Sequence, residues 1–217
     1  MNQKEIILDI AEVLKAEFAF EASGHDWWHI LRVWNNAKHI AEEEKADMFV
    51  VELAALLHDI ADWKFHDGDE SVGPAKAKAL LEKYNVSSDV ISHVQDIIKT
   101  ISFKGADVAN EIKTLEGKIV QDADRLDAIG AIGVARAFAY GGFMKRAMHN
   151  PDVAAVAHQD KASYYKNQST TINHFYEKLL LLKDRMNTKT GKIMAEERHK
   201  FLEEYLERFL EEWEGKK

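Results

Sequence analysis

A run of apolar residues, Val50 to Leu57, leads directly into the pair His58-Asp59. The run holds one charged residue, Glu52, so it predicts a helix over 49–60 that is buried on nearly all sides. A histidine beside an aspartate is costly on a buried helix unless a bound group compensates both. Because imidazole and carboxylate are usual ligands of divalent cations, the pair predicts a metal site next to the core.

The rest of the chain also carries helical periodicity, without a convincing run of alternating strand pattern, and its two prolines are Pro74 and Pro151. We therefore predict an all-α fold. Ser23 or Asp26 is the expected cap of the second helix. The predicted helices cover the stripes 6–18, 28–40, 49–60, 74–84, 88–98, about 108–129, 175–186 and 201–213.

Composition limits the class of protein. The net charge is −8 with acidic and basic residues interspersed, which argues against duplex nucleic acid as a partner. There is no cysteine, so disulfides and thiol nucleophiles are excluded. The start is polar, and the longest apolar runs are far below the ~18 residues of a membrane span, which predicts a soluble, cytoplasmic protein with no membrane partner.

We expect a single domain over 1–217, with the metal-site core at 20–130 and a helical C-terminal part at 131–217. The amphipathic stripes of the C-terminal part are typical of helices packed on their own domain. Such stripes also pair between chains, so a homodimer contact is the second interpretation.

Three segments supply metal-ligand residue types: the pair His58-Asp59 and two further segments. His25 and His29 are four residues apart, so they share a helix face. Asp124 and Asp127, three apart, share another face. Two histidines and two aspartates would form an N₂O₂ cage for one octahedral ion, namely Mn²⁺, Co²⁺, Ni²⁺ or Mg²⁺. The alternative is that the histidines, 10 in the chain, are structural or exposed and that the Asp-rich segment is a solvated helix face.

Longer motifs around these residues resemble a known family, the HD-domain metal-dependent phosphohydrolases, and in particular one bacterial subgroup. The matching segments are His25 to Val33, Ala54 to Ile60, Val120 to Gly130, Tyr140-Gly141-Gly142 and Phe175 to Leu179. The resemblance implies an HD-domain-like helical bundle with a C-terminal helical extension. It also implies hydrolysis of a small phosphorylated substrate, often a nucleotide, with one divalent ion. The implied ligands are His29, His58, Asp59 and Asp124.

Charged residues near the motifs are candidates for the chemistry. Asp62 is placed to orient or deprotonate the attacking water, and His25 to support a ligand or protonate the leaving group. Asp127 is placed to hold a ligand or a substrate hydroxyl. The candidate cations for phosphate oxygens are Arg32, Lys64, Arg125 and Arg136. The alternative for Lys64 and Arg136 is an ordinary solvated charge.

Two other functions stay open at this point. The first is a sensor module that keeps the metal and binds a nucleotide without turnover. The second is a di-iron oxygenase, which would need further histidines between Asp59 and Asp124. Only His66 and His93 lie in that interval, so a single ion is the preferred expectation.

Overall fold

The computed structural model describes residues 1–19, 26–61, 69, 71–101, 112–156 and 169–217. Within these ranges every regular element is helical, which confirms the predicted all-α class. The α-helices are α1 (Gln3–Glu17), α2 (Trp27–Glu44), α3 (Met48–Leu57), α4 (Val72–Lys83), α5 (Ser88–Ile101), α6 (Leu115–Asp127), α7 (Gly130–Phe143), α8 (Thr171–Glu177) and α9 (Lys189–Trp213). Two 3-10 helices, Leu179–Leu181 and Lys183–Arg185, lie between α8 and α9.

Backbone contacts divide the described residues into two compact units. The first ends at Ala123 and the second runs from Asp124 to Lys217. The boundary falls inside α6, so this one helix contributes residues to both units. The sequence-based division at residue 130 stays a prediction.

Helix α3 is the centre of the first unit, as its apolar sequence predicts. It packs against α1, α2 and α5. Its first turn is capped by Asp47, whose Oδ1 accepts from the backbone N–H groups of Phe49 (3.0 Å) and Val50 (3.3 Å). The charged exception, Glu52, accepts a hydrogen bond of 2.8 Å from Trp34 Nε1 on α2. The buried residues of α3 are Val50, Val51, Leu53, Ala54, Ala55, Leu56 and Leu57.

The end of α3 differs from the sequence-based prediction. The helix stops at Leu57 rather than near Ile60, and His58 is its C-cap residue. The backbone N–H of Ile60 donates to Leu57 O at 3.1 Å, three residues back, which tightens the chain into a turn. His58 and Asp59 therefore lie in the turn after the helix, and the ~100° spacing of helical neighbours does not apply to them.

Two other helix starts test the sequence-based boundaries. Asp26 is the N-cap of α2, as predicted, because its Oδ1 accepts from His29 N–H at 2.8 Å. The predicted start of α6 near residue 108 is wrong for the described part, since Ile112 to Thr114 are not helical. Thr114 Oγ1 accepts from the backbone N–H of Gly117 at 3.2 Å, which satisfies a donor of the first turn.

The second unit packs α9 against α7 and α7 against α8. Its interior is aromatic: the ring of Phe175, fully buried, lies 6.0 Å from that of Phe138 and 6.1 Å from that of Tyr205. The predicted continuous stripe 175–186 is not one helix. Lys178, with φ −141° and ψ −56°, ends α8, and the two 3-10 helices follow.

No helix in the described part of the chain is both long and apolar enough to cross a membrane.

Candidate metal centre

Three side-chain donors converge in the first unit. His29 Nε2 lies 3.2 Å from His58 Nε2, and Asp59 Oδ2 lies 3.4 Å from each of these nitrogens. They form a nearly equilateral triangle of two imidazole nitrogens and one carboxylate oxygen. Among the described residues, this is the one group of three or more potential metal ligands.

The start of α2 places the first of these donors. The cap at Asp26 fixes the first turn of α2, and His29 is in that turn. The His29 side chain is 1% exposed, so the surrounding core holds the ring in place. An imidazole that is buried away from water needs a partner at its nitrogens. His58 Nε2 and Asp59 Oδ2 lie beside Nε2 of His29.

The turn after α3 places the other two donors. His58 Nδ1 is 2.7 Å from Ala55 O. A carbonyl oxygen only accepts, so Nδ1 carries the hydrogen and donates to it. In the neutral ring this leaves a lone pair on Nε2, the nitrogen that faces His29 and Asp59. Such a bond from the far side of the ring is the usual way in which proteins orient a metal-binding histidine.

The triangle has the dimensions that a divalent cation requires. Ligands about 2.1 Å from an ion stand roughly 3.0 Å apart at ~90° and roughly 3.4 Å apart at the tetrahedral angle. The observed edges of 3.2–3.4 Å fall in that interval. Three donors on one side also leave the opposite side of an ion open to water or substrate. The residues therefore fit a divalent ion of the class that the sequence predicts.

The fourth predicted ligand, Asp124, lies on α6 and is the first residue of the second unit. Its side chain is partly buried. Two residues earlier, Asp122 is fully buried, so the interpretation of this segment as a solvated helix face is wrong for Asp122. Whether Asp124 completes the cage stays a prediction.

Three of the predicted substrate residues make contacts within the second unit. Arg136 Nη1 donates to Asp127 Oδ2 at 2.8 Å, and the Asp127 side chain is only 2% exposed. Arg125 Nη1 donates to the backbone oxygen of Arg185. These contacts engage Arg125, Asp127 and Arg136 inside the protein, and the solvated interpretation of Arg136 is thereby wrong.

The remaining candidates are distributed differently. Arg32 is half-buried on α2, three residues after His29. His25, Asp62, Lys64 and His66 lie outside the described residues. His93, a candidate for a second ion, lies on α5, where its Nε2 is 3.7 Å from Glu116 Oε2 and not part of the donor triangle.

Sequence reasoning missed contacts in which a side chain binds a backbone carbonyl oxygen. The Ala55 carbonyl orients His58, and Asn36 Nδ2 donates to Ala123 O at 3.5 Å, linking α2 to α6. In the second unit, Arg198 Nη1 donates to Leu126 O at 2.5 Å. An alanine carbonyl has no side-chain signature, and nothing in the pattern of α9 distinguishes Arg198 from its other charged residues.

The described residues are helical in every regular element, and His29, His58 and Asp59 form a group that could hold a metal ion. The family model of the HD domain matches residues 27–129. The YpgQ protein of Bacillus subtilis (strain 168) is 41% identical over 187 residues, which are 86% of this chain and 83% of YpgQ. The chain belongs to the HD-domain family.

Solved structures agree with this assignment. The crystal structure of an HD-superfamily hydrolase from Bacillus thuringiensis matches with a TM-score of 0.77 and 41% identity, over 98% of this chain and 99% of that chain. The structure of Bacillus subtilis YpgQ in complex with ADP matches with a TM-score of 0.74 and 36% identity, over 95% and 96% of the two chains. The HD-superfamily hydrolase fold supports metal-dependent hydrolysis as the general class of activity.

Proposed function

We propose that this protein is a phosphohydrolase that acts on a nucleotide or a related phosphate ester with one divalent ion. The observation that carries the proposal is the donor triangle of His29, His58 and Asp59, with edges of 3.2–3.4 Å. Mn²⁺, Co²⁺, Ni²⁺ and Mg²⁺ are the candidate ions. Each adopts octahedral geometry, in which water can fill the positions that the protein leaves open.

Asp124 is the proposed fourth ligand. It directly follows Ala123, whose carbonyl accepts from Asn36. Asn36 is seven residues after His29 on α2, which is about two helical turns. The contact therefore joins Ala123, the residue directly before Asp124, to the helix that carries His29.

The residues of the chain have distinct proposed roles. The bound ion would polarise a phosphoryl oxygen and lower the pKa of its water. Arg32, one turn after His29, binds phosphate oxygens through its planar fork. Asp62 takes the proton of the attacking water, and His25 supports a ligand or protonates the leaving group. Lys64 is a further candidate phosphate cation; like Asp62 and His25, it lies outside the described residues.

The nucleotide part of the proposal has a separate support. YpgQ, which shares 36% identity with this chain by structural alignment, was crystallised with ADP. ADP contains a diphosphate group, and a metal ion in the site of a phosphohydrolase would bind the oxygens of such a group. We therefore propose nucleotides as the first substrate class to examine.

The test is a phosphate-release screen of nucleoside mono-, di- and triphosphates and sugar phosphates with each of the four ions. We expect release that requires the ion, and its loss in Asp59→Ala. Metal and ADP binding without release from any ester would replace the enzyme with a sensor module. Two irons per chain together with oxygen consumption would replace it with an oxygenase, although the described residues offer one donor cluster.

A further inference from the structure

Three arginines surround the C-terminal end of α6, and we name Arg125, Arg136 and Arg198 the arginine clasp. Arg198 Nη1, from α9, donates to Leu126 O at 2.5 Å. Arg136 Nη1, from α7, donates to Asp127 O at 3.3 Å and to its carboxylate at 2.8 Å. Arg125, on α6 itself, donates to the backbone oxygen of Arg185.

The clasp acts where a helix most needs donors. The last four carbonyls of an α-helix have no partner within the helix, and they carry partial negative charge. At the end of α6, Ala128 N–H donates to Arg125 O and Ile129 N–H to Leu126 O, both only three residues back. The guanidinium groups of Arg136 and Arg198 add charged donors to the carbonyls of Asp127 and Leu126 and complement the helix dipole.

The chain also turns sharply at this end. Gly130 has φ +71°, a left-handed conformation that favours glycine. A Cβ at Gly130 would lie 3.0 Å from Arg198 Cγ, so α9 rests directly against the turn. Burial lowers the pKa of Arg198, and the Asp127 carboxylate opposes that shift. A desolvated cation is costly unless it makes hydrogen bonds. Arg198 makes such a bond to Leu126 O.

We infer that the arginine clasp positions Asp124 for the metal, and that Arg198 on the C-terminal helix is a positioning residue of the metal centre. Asp124 is two residues before Leu126, within the last turn of α6. Rotation or fraying of that turn would carry the Asp124 carboxylate with it. The inference rests on the proposed function, in which Asp124 is a ligand, and it gives Arg125 and Arg136 a role other than binding substrate.

The experiment compares Arg198→Met with Arg208→Met in the full chain. Arg208 is on the same helix, but its side chain is 58% exposed and pairs with Glu212, so it is the matched control. Mn²⁺ affinity is measured by titration calorimetry, and the visible absorption of the Co²⁺-loaded protein reports the ligand geometry. Melting temperature is recorded without metal.

We expect Arg198→Met to weaken Mn²⁺ binding by about 10–100-fold, as for other residues that orient metal ligands, and to alter the Co²⁺ spectrum. Arg208→Met should change neither. Arg198→Lys keeps a charged donor and should recover part of the affinity. A lower melting temperature with wild-type affinity and spectrum would show that Arg198 is only structural and would overturn the inference.

A second variant covers failure of Arg198→Met to fold. Arg125→Met removes an independent anchor of the same turn, and wild-type affinity in this variant would then overturn the inference. Failure of the proposed function has a different signature: the wild-type protein would bind no ion, or would bind it without releasing phosphate. Loss of affinity in the clasp variants is measured without turnover, so the two failures are distinguishable.

Discussion

The two units surround an aspartate carboxylate in different ways. In the first, Asp59 faces the nitrogens of two imidazoles at 3.4 Å. In the second, Asp127 faces the guanidinium of Arg136 at 2.8 Å. A carboxylate beside arginine has its counter-charge within the protein, whereas imidazole nitrogens and a carboxylate together form a donor set for a cation.

Exposure separates the two sites further. The Asp59 side chain is 18% exposed and that of Asp127 is 2% exposed. An ion held at Asp59 would therefore be accessible to water, while the Asp127–Arg136 pair is closed from solvent on the carboxylate side. The same residue type is thus partly exposed beside two imidazoles in the first unit and buried beside an arginine in the second.

The largest effect is expected when a donor of the first site is removed. His58→Ala or Asp59→Ala should abolish stoichiometric metal in the folded protein. Residues that merely orient ligands contribute about 10–100-fold in affinity, so loss of a ligand should exceed that range. Elemental analysis of purified protein, with circular dichroism as the check of folding, measures it.

His39→Ala is the matched control for that experiment, because His39 is exposed on α2, the helix that also carries His29. It should keep full occupancy. Full occupancy in either His58→Ala or Asp59→Ala would instead show that the donor triangle is not the metal site.

The next largest effect should be on turnover with the metal retained. Arg32→Ala and Asp62→Asn should each lower kcat by about 10²–10³, because each removes a charge that acts on the transition state. The competing role for both residues is to hold helices in register, which would lower the melting temperature at near-normal turnover. Turnover, bound metal and melting temperature measured on the same samples separate the two roles.

The two aspartates Asp122 and Asp124 of α6 should differ in their effect on metal binding. Asp124→Asn should weaken metal binding by about 10–100-fold or more, and Asp122→Asn should affect it less. On a helix the two positions differ by ~200°, so both cannot face one ion. Asp122 is fully buried, and its variant should lose stability instead. A larger loss of metal affinity in Asp122→Asn would overturn the ligand assignment.

The structural carboxylate predicts an effect on stability. Asp127→Ala leaves Arg136 without its carboxylate partner, and breaking a buried pair costs about 3–5 kcal/mol. Arg136 is 25% exposed, so the low end of that range is expected. Urea denaturation of both single variants and the double variant gives the coupling energy. Additive effects would mean that the pair contributes nothing as a pair.

Much of this molecule could be predicted from sequence because strong local signals agree with the fold. The apolar run of α3 predicted its central burial, and Asp26 predicted the start of α2. The pair His58-Asp59 predicted a metal site, and both residues belong to the observed donor triangle. Residue type, periodicity and capping were sufficient in these cases.

The errors arose where backbone geometry departs from helical periodicity. His58 was assigned to a helix because Ile60 continues the apolar pattern, but the bond from Ile60 N–H to Leu57 O closes a turn. The substrate role of Arg125 and Arg136 stays a prediction, because sequence shows a charge and not the groups that it contacts. Their acceptors, the Arg185 carbonyl and Asp127, become visible only when the chain is folded.

The smallest expected effect concerns a histidine, because the surroundings of the imidazole ring also differ between the two units. His29 and His58 lie beside a carboxylate. In the second unit, burial, reinforced by the neighbouring cations Lys178 and Arg146, lowers the pKa of His174 from its ordinary value of 6.5 to about 3. His174 should therefore stay neutral in the native protein at mildly acidic pH.

The sign of the effect follows from proton binding. Below the ordinary pKa of 6.5 the unfolded chain binds a proton at His174, and the native chain does not until about pH 3. The free energy of unfolding should thus fall as pH falls through this interval. His174→Gln has no such titration, so its stability should decline less between about pH 7 and about pH 4.5, where free histidine becomes charged. Urea denaturation of both proteins at these two pH values measures the difference. Equal declines would show that His174 protonates as readily in the native protein as in the unfolded chain, and the contrast between the histidines of the two units would be lost.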